Sequence, residues 1–459
     1  MRGDINGDGV VNLRDVTTLT RHFSENWKDT VIRRENSDVN SDNDVTLEDI
    51  AALKRWLLGD GTAAGRLPQD LAQYELLSAS TGENGVSVLS FRYGTSVQGR
   101  DLACWCLSKG SWDRTVLVNL EIHGFEDAYA KDGQVLVDLG NQLVEHYSKQ
   151  YDLHNCRLLV IPQCNPDGLI EGTTNNGFGR CNAEGIDLNR DFDASHIVYS
   201  DARNYTQSPF SAVESRAMRE LVLSCRPSVV LDLHGWENCT IGSSAVAETF
   251  SLHTGLNHKK ELTDSAHGYF SYWAQLQGAE ALLVEFKDSS NVKQTQVCAA
   301  LDDILAGNYG AHASQYPLDA AYAGFRDITA YAATSDRIYV QRQVGEEGTE
   351  YGWIDGANDK CTIRQIYDNG WCKVIYPAGN LFKTGFCKVE SFIDTANQVA
   401  HYQSSVSADT PVYATSDQNK QIGSVWSTDT FTVIAEKGGM LQILYPLDAG
   451  GYKLGWIVK

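Results

Sequence analysis

His123 and Glu126 stand three residues apart directly after an apolar run, residues 116–122, and a second apolar run, 229–233, ends on His234. An imidazole and a carboxylate at that spacing can share one metal ion, and the second imidazole offers a third ligand. Two histidines and one carboxylate, with a fourth position left to water, form the donor set of a catalytic zinc site, where the ion acidifies water and polarises a carbonyl. A third apolar run, 281–284, ends on a further carboxylate, Glu285. Arg180, Asn189 and Arg190 lie between the two histidines in sequence. A lone histidine at a strand end is more often structural. Here two histidines and one carboxylate recur at the same kind of position, with Glu126 three residues past the first.

A different chemistry occupies the first sixty residues. Asp4, Asn6, Asp8, Asn12 and Asp15 put oxygen-bearing side chains at positions one, three, five, nine and twelve of a loop, with glycine at the sharp turn and the Val10 carbonyl at position seven. A hard cation takes six or seven oxygens, and ligands on alternate residues wrap one centre, so the spacing is that of a calcium loop. The pattern repeats: Asp38, Asn40, Asp42, Thr46 and Asp49 hold the same offsets, with the Asp44 carbonyl at position seven and Asn43 where the turn glycine would stand. Duplication argues against two chance Asp/Asn-rich turns. Two calcium ions are expected here, the second held more weakly.

These motifs require elements to carry them. Residues 66–322 alternate apolar strand-like runs with helical periodicity, for example 135–147, which is an α/β pattern with ligands outside strand carboxyl ends. After Gly324 that periodicity stops, and short runs rich in Thr, Val, Tyr and Ile, divided by Gly, Asp and Asn, predict all-β structure. Two similar units are visible, 325–398 and 401–459; each opens on a Tyr-Ala strand and closes on a Gly-Phe or Gly-Trp strand. A formal charge of −21 opposes nucleic-acid binding, and no apolar run approaches membrane-spanning length. The 11 cysteines form no CxxC pair of the kind that builds structural zinc sites, and they fix no compartment.

The ordered set of His123 to Glu126, Asn165 to Gly168, Arg180 to Phe192, His234 and Glu285, with Phe91 to Arg100 and Pro209 to Glu214, resembles the zinc carboxypeptidase family over about residues 70–320. That resemblance implies an α/β/α domain with a mixed sheet. It makes His123, Glu126 and His234 the ligands of one zinc, Glu285 the general base and Arg180 the oxyanion group. By the same resemblance Asn189 and Arg190 grip a substrate carboxylate, and Phe270 lies near the floor of the specificity pocket. Digestive members carry a mobile tyrosine where Thr263 stands, with Tyr269 and Tyr272 as candidate substitutes, and the stretch from Gly268 to Gly278 resembles bacterial members more closely. Residues 1–62, whose loops end in Asp and whose first loop lacks an entering helix, resemble a dockerin, which implies docking to a cohesin module of a scaffoldin through Leu13, Arg14, Leu47 and Glu48. The C-terminal units resemble tandem bacterial Src-homology-3-like barrels.

The expectation is therefore a multidomain chain: a small α-helical dockerin with two calcium loops, a zinc carboxypeptidase-like α/β/α domain and two small all-β barrels. Such an assembly makes sense outside the cell, so a leader is expected to have preceded Gly3, and the expected partners are a cohesin on a cellulosome-type scaffold and a peptide substrate. Barrels that grip cell wall would make the substrate a peptidoglycan stem peptide; barrels that only brace the domain would leave a general metallocarboxypeptidase acting on dietary or host protein. A further alternative, an inactive peptidase-like binding module, is opposed by the intact His123, Glu126, His234 and Glu285.

Overall fold

The computed structural model describes residues 3–8, 11–24, 32–39, 44–57, 66–149, 152–171, 179–259, 262–309, 316–325, 327–334, 336–345, 350–448 and 450–459. Near the N-terminus the helices are α1 (Leu13–His22), α2 (Arg34–Ser37) and α3 (Leu47–Leu57). Asn12 starts α1 by accepting the Arg14 amide, and the Asp15 carboxylate accepts the amides of Asn12, Ile5 and Asn6, closing the first loop on the helix it opens. Asp49 does the same in the repeat, accepting the amides of Val39 at 2.6 Å and Thr46 at 2.7 Å. The apolar stripes of α1 and α3 meet in a small core of Ile5, Val16, Leu19, Ile50 and Leu53. Val10, Asn40, Asp42 and Asn43, expected in the calcium loops, lie outside the described residues.

By compactness the chain divides into two units, Met1–Asn238 with Leu262–Gln294, and Cys239–Glu261 with Thr295–Lys459. The first holds a mixed sheet. Strands β1 (Glu75–Thr81), β2 (Ser87–Thr95) and β3 (Asp101–Ser108) form an antiparallel meander, and β3 joins β5. Strands β4 (Arg114–Leu120) and β5 (Cys156–Ile161) run parallel, with α4 (Gln134–Lys149) between them in sequence. Next come α5 (Pro166–Glu171), α6 (Val213–Cys225) and β6 (Val229–Gly235), which pairs parallel with β4. The chain then contributes β7 (Cys239–Gly242), α7 (Ser244–Thr254) and β8 (Asn257–Lys259) to the second unit. It returns with α8 (Phe270–Leu276) and β9 (Glu280–Phe286), parallel to β6. Strands β5 and β6 are buried at every position, as strands of a covered parallel sheet must be.

After α9 (Gln294–Leu305) the second unit is all β. Its strands are β10 (Ile328–Tyr331), β11 (Ile338–Gln341), β12 (Glu350–Ile354), β13 (Lys360–Ile366), β14 (Trp371–Ala378) and β15 (Leu381–Lys388). A second set follows: β16 (Gln398–Ser404), β17 (Thr410–Tyr413), β18 (Gln421–Val425), β19 (Phe431–Lys437), β20 (Met440–Pro446) and β21 (Tyr452–Val458). The two sets pair alike. The ladders β10–β13, β11–β12, β13–β14, β14–β15 and β11–β15 recur as β16–β19, β17–β18, β19–β20, β20–β21 and β17–β21. Equivalent glycines face equivalent tyrosines: a Cβ at Gly352 would meet the Tyr376 hydroxyl at 2.1 Å, and one at Gly423 would meet that of Tyr445 at 2.9 Å.

The sets are not independent beads. β10 runs parallel to β21 through Ile328 and Thr329, and Ile434, Leu444 and Leu454 of the second set complete the core of Ile328, Ile363 and Val374 in the first. The first set is also bound to residues 239–261: β15 pairs with β8 at Phe382 and His258, Thr384 donates its amide to the Ser251 hydroxyl, and Arg364 holds the buried Glu248 through Nε at 2.9 Å and Nη2 at 2.6 Å. All 11 cysteines are buried thiols, and Cys372 and Cys387 sit opposite each other with sulfurs 3.8 Å apart. Among the described residues no helix is long and apolar enough to cross a membrane.

Candidate metal centre and active site

Parallel strands deliver their carboxyl ends to one edge of a sheet, and here β4, β6 and β9 bring His123, His234 and Glu285 together. Ligand atoms of His123, Glu126 and His234 all lie within 4.8 Å of one another, and all three residues are buried; among the described residues this is the one such trio. Each histidine turns Nδ1 toward Glu126, at 3.2 Å for His123 and 3.4 Å for His234. The outer nitrogens face carboxylates: His123 Nε2 is hydrogen-bonded to Asp187 at 2.9 Å, and His234 Nε2 lies 3.0 Å from Asp232 as a close charge contact. For His123 that bond favours the tautomer that leaves Nδ1 to a metal, and His234 turns its Nδ1 to the same point.

The charged groups of the trio act strongly on one another. Burial would raise the Glu126 carboxyl, but His123 and His234 outweigh it and hold it down at about 2. Burial pushes the His234 imidazole down, yet Asp232 and Glu126 prevail and keep it well above its ordinary value. Glu126 Oε1 and Glu285 Oε2 are out of water with no hydrogen-bond partner, an arrangement that costs free energy unless something charged or protic sits there. A three-ligand nitrogen and oxygen set with an open fourth position fits zinc. The N-terminal loops instead offer only oxygens, which fits calcium.

The reacting groups surround the trio. Glu285 is the register partner of His234 across β6 and β9. Burial raises its carboxyl to about 8, with Glu126 and Glu237 adding to the effect and His234 and Arg180 opposing it. Arg180 is buried and its Nε lies 3.2 Å from Asp187, so one carboxylate orients both His123 and Arg180. Asn189 accepts the Phe270 amide at 2.9 Å, and the Arg190 guanidinium lies 4.6 Å over the Tyr269 ring. Gly268, at a φ of +72°, permits this approach, because a Cβ there would lie 2.0 Å from the Arg190 carbonyl oxygen.

Phe270 departs from expectation. Its ring has no exposed area and packs 5.1 Å from Phe192, so it is a core aromatic that fixes the start of α8 rather than a pocket floor. Thr263 is exposed and bonded to Ser265, while the Tyr272 hydroxyl donates to Asp264 at 2.7 Å. The supporting motifs converge as well. Asp167 binds Arg100 and Ser96 of the opening segment, and Glu214, at the start of α6, accepts from Asn182. Asp187 and Asp232 were absent from the candidate residues, although Asp232 stands two residues before His234 and so on the same strand face. Asn119, opposite Asp232 on β4, donates to it at 2.8 Å. In the N-terminal repeats, Leu13 and Leu47 are 68% and 65% exposed, with Arg14 and Glu48 exposed beside them.

Comparison with known proteins agrees with this geometry. Residues 77–304 match the zinc carboxypeptidase family model, and residues 2–58 match that of the dockerin type I domain. The bacteriocin BCN5 of Clostridium perfringens is 33% identical over 264 residues, which are 54% of this chain and 28% of that protein, so the chain spans little more than a quarter of its relative. Among solved structures, a murein-tripeptide amidase from Escherichia coli is 19% identical with a TM-score of 0.35, covering 47% of this chain and 91% of that one. Carboxypeptidase A from Helicoverpa armigera is 16% identical with a TM-score of 0.40, over 57% of this chain and 80% of that one. The chain carries a domain that matches the zinc carboxypeptidase family over residues 77–304, joined to an N-terminal domain that matches the dockerin type I family over residues 2–58.

Proposed function

We propose that the protein hydrolyses peptide bonds with His123, Glu126 and His234 holding one zinc ion and Glu285 as general base, and that its substrates are peptidoglycan stem peptides. The observation that carries the hydrolytic part is the buried trio with the unpartnered Glu285 oxygen beside it. Bound there, zinc would acidify water and polarise the scissile carbonyl. Glu285 takes the proton from the attacking water and passes it to the leaving amine. Arg180, kept in line by Asp187, offsets the negative charge that grows on the carbonyl oxygen. Arg190 and Asn189 hold a carboxylate of the substrate, which fixes the bond that is cut.

The two all-β sets, read as Src-homology-3-like units over 325–398 and 401–459, have two roles in this account. The first braces residues 239–261, through the Arg364–Glu248 pair and the β8–β15 ladder, and the two together hold the enzyme against cell wall, which makes a stem peptide the substrate. The dockerin, over 1–62, docks the enzyme to a cohesin on an extracellular scaffold through Leu13, Arg14, Leu47 and Glu48, which would require export of the chain. Incubating the zinc-loaded protein with muropeptides and with ordinary peptides, and reading products by mass spectrometry, tests the substrate. Cleavage of muropeptides alone is expected; release of ordinary C-terminal residues with muropeptides untouched would make it a general metallocarboxypeptidase.

A further inference from the structure

Between Glu126 and α4 the chain makes a tight loop closed by Asp132, which has no exposed area. Its Oδ1 accepts the Glu126 amide at 2.5 Å, and its Oδ2 accepts the Ala128 amide at 2.9 Å and, more weakly, the Tyr129 amide at 3.4 Å. Oδ2 also accepts the indole Nε1–H of Trp236 at 2.8 Å. Trp236 follows His234 by two residues, just past the end of β6. One buried carboxylate therefore binds the backbone of one metal ligand and the turn that leaves another. The loop has no slack to compensate, because a Cβ at Gly133 would lie 2.6 Å from the His123 carbonyl oxygen.

We infer that Asp132 is a positioning residue for the metal centre, clamping the Glu126 loop to the segment after His234 so that both ligands meet at one point. This rests on the zinc reading above and adds a residue beyond the three ligands and the carboxylates that face their imidazoles. Asp132 touches neither substrate nor metal. It acts by fixing where Glu126 and His234 stand, and it does so best as a carboxylate, since four donors converge on it and an amide nitrogen would oppose some of them.

The test measures zinc affinity of the full-length apo protein by chelator competition, together with the Trp236 indole proton in a ¹H–¹⁵N spectrum, assigned by its loss in Trp236→Phe. In Asp132→Asn the expected result is a zinc affinity lower by roughly 10–100-fold, as is usual when an outer partner of a metal ligand is removed. The apo melting temperature should stay near that of the parent, and the Trp236 signal should move toward that of an indole without a charged acceptor. Trp236→Phe, which leaves the loop bonds intact, should lose a few-fold in affinity and serves alone if Asp132→Asn does not fold. A parent protein that binds no zinc would overturn the metal reading itself. A parent that binds zinc, with Asp132→Asn or Trp236→Phe binding it equally well, would overturn only the role given to Asp132.

Discussion

At the scale of single residues, the site depends on carboxylates doing unlike tasks within one buried volume. Glu126 is held ionised by two imidazoles, Glu285 is pushed up by burial, and Asp187 is held well below its ordinary value because Arg180, His123 and Arg190 outweigh its burial. Asp187 thus ties a ligand to the oxyanion arginine with a permanent charge. Asp187→Asn should therefore weaken zinc by roughly 10–100-fold in a chelator competition and lower turnover further at saturating zinc, because Arg180 loses its anchor. Unchanged affinity would remove Asp187 from that role. His123, His234 and Glu285 were readable as candidates because each follows an apolar run, and Glu126 because it stands three residues past His123. It left Asp187 among a motif's unassigned letters, because its partners are 64 and seven residues away in the chain.

At the scale of elements, strand ends were readable and strand partners were not. The run 116–122 looked like one strand, but β4 stops at Leu120, because Glu121 turns to a φ of 53° and leaves the ladder before His123. Phe270 illustrates the opposite failure: a large ring at a helix start reads the same whether it lines a pocket or packs on Phe192, and only tertiary contact decides. Residues 239–261 gave helix and strand signals with no hint that Arg364, 116 residues later, would hold Glu248. Arg364→Ala leaves that carboxylate buried without its main counter-charge and should cost about 3–5 kcal/mol in urea unfolding. A cost below about 1 kcal/mol would mean that the pair is better solvated than its burial implies.

At the scale of the whole molecule, two kinds of cation site serve separate purposes. Both loop-closing aspartates and the small core of α1 and α3 belong to residues 3–57 alone. Removing calcium with EGTA in a zinc-buffered solution should melt that segment, seen as lost helix signal and lost cohesin binding, while peptide hydrolysis continues. Cohesin binding that is indifferent to calcium would contradict the calcium reading. The division of the chain into an α/β part and an all-β remainder was visible from periodicity. That the two β sets share a core and a parallel β10–β21 pairing was not, since strand pairing between repeats leaves no local pattern.

The central claim is that peptide hydrolysis occurs at the trio with Glu285 as base, and the most direct measurement is turnover by Glu285→Gln beside the parent, both with zinc content determined. Full zinc occupancy and an unchanged melting temperature, with turnover lower by about 10²–10⁴-fold, is the predicted result. A zinc-loaded Glu285→Gln protein that turns over at the parental rate would contradict it.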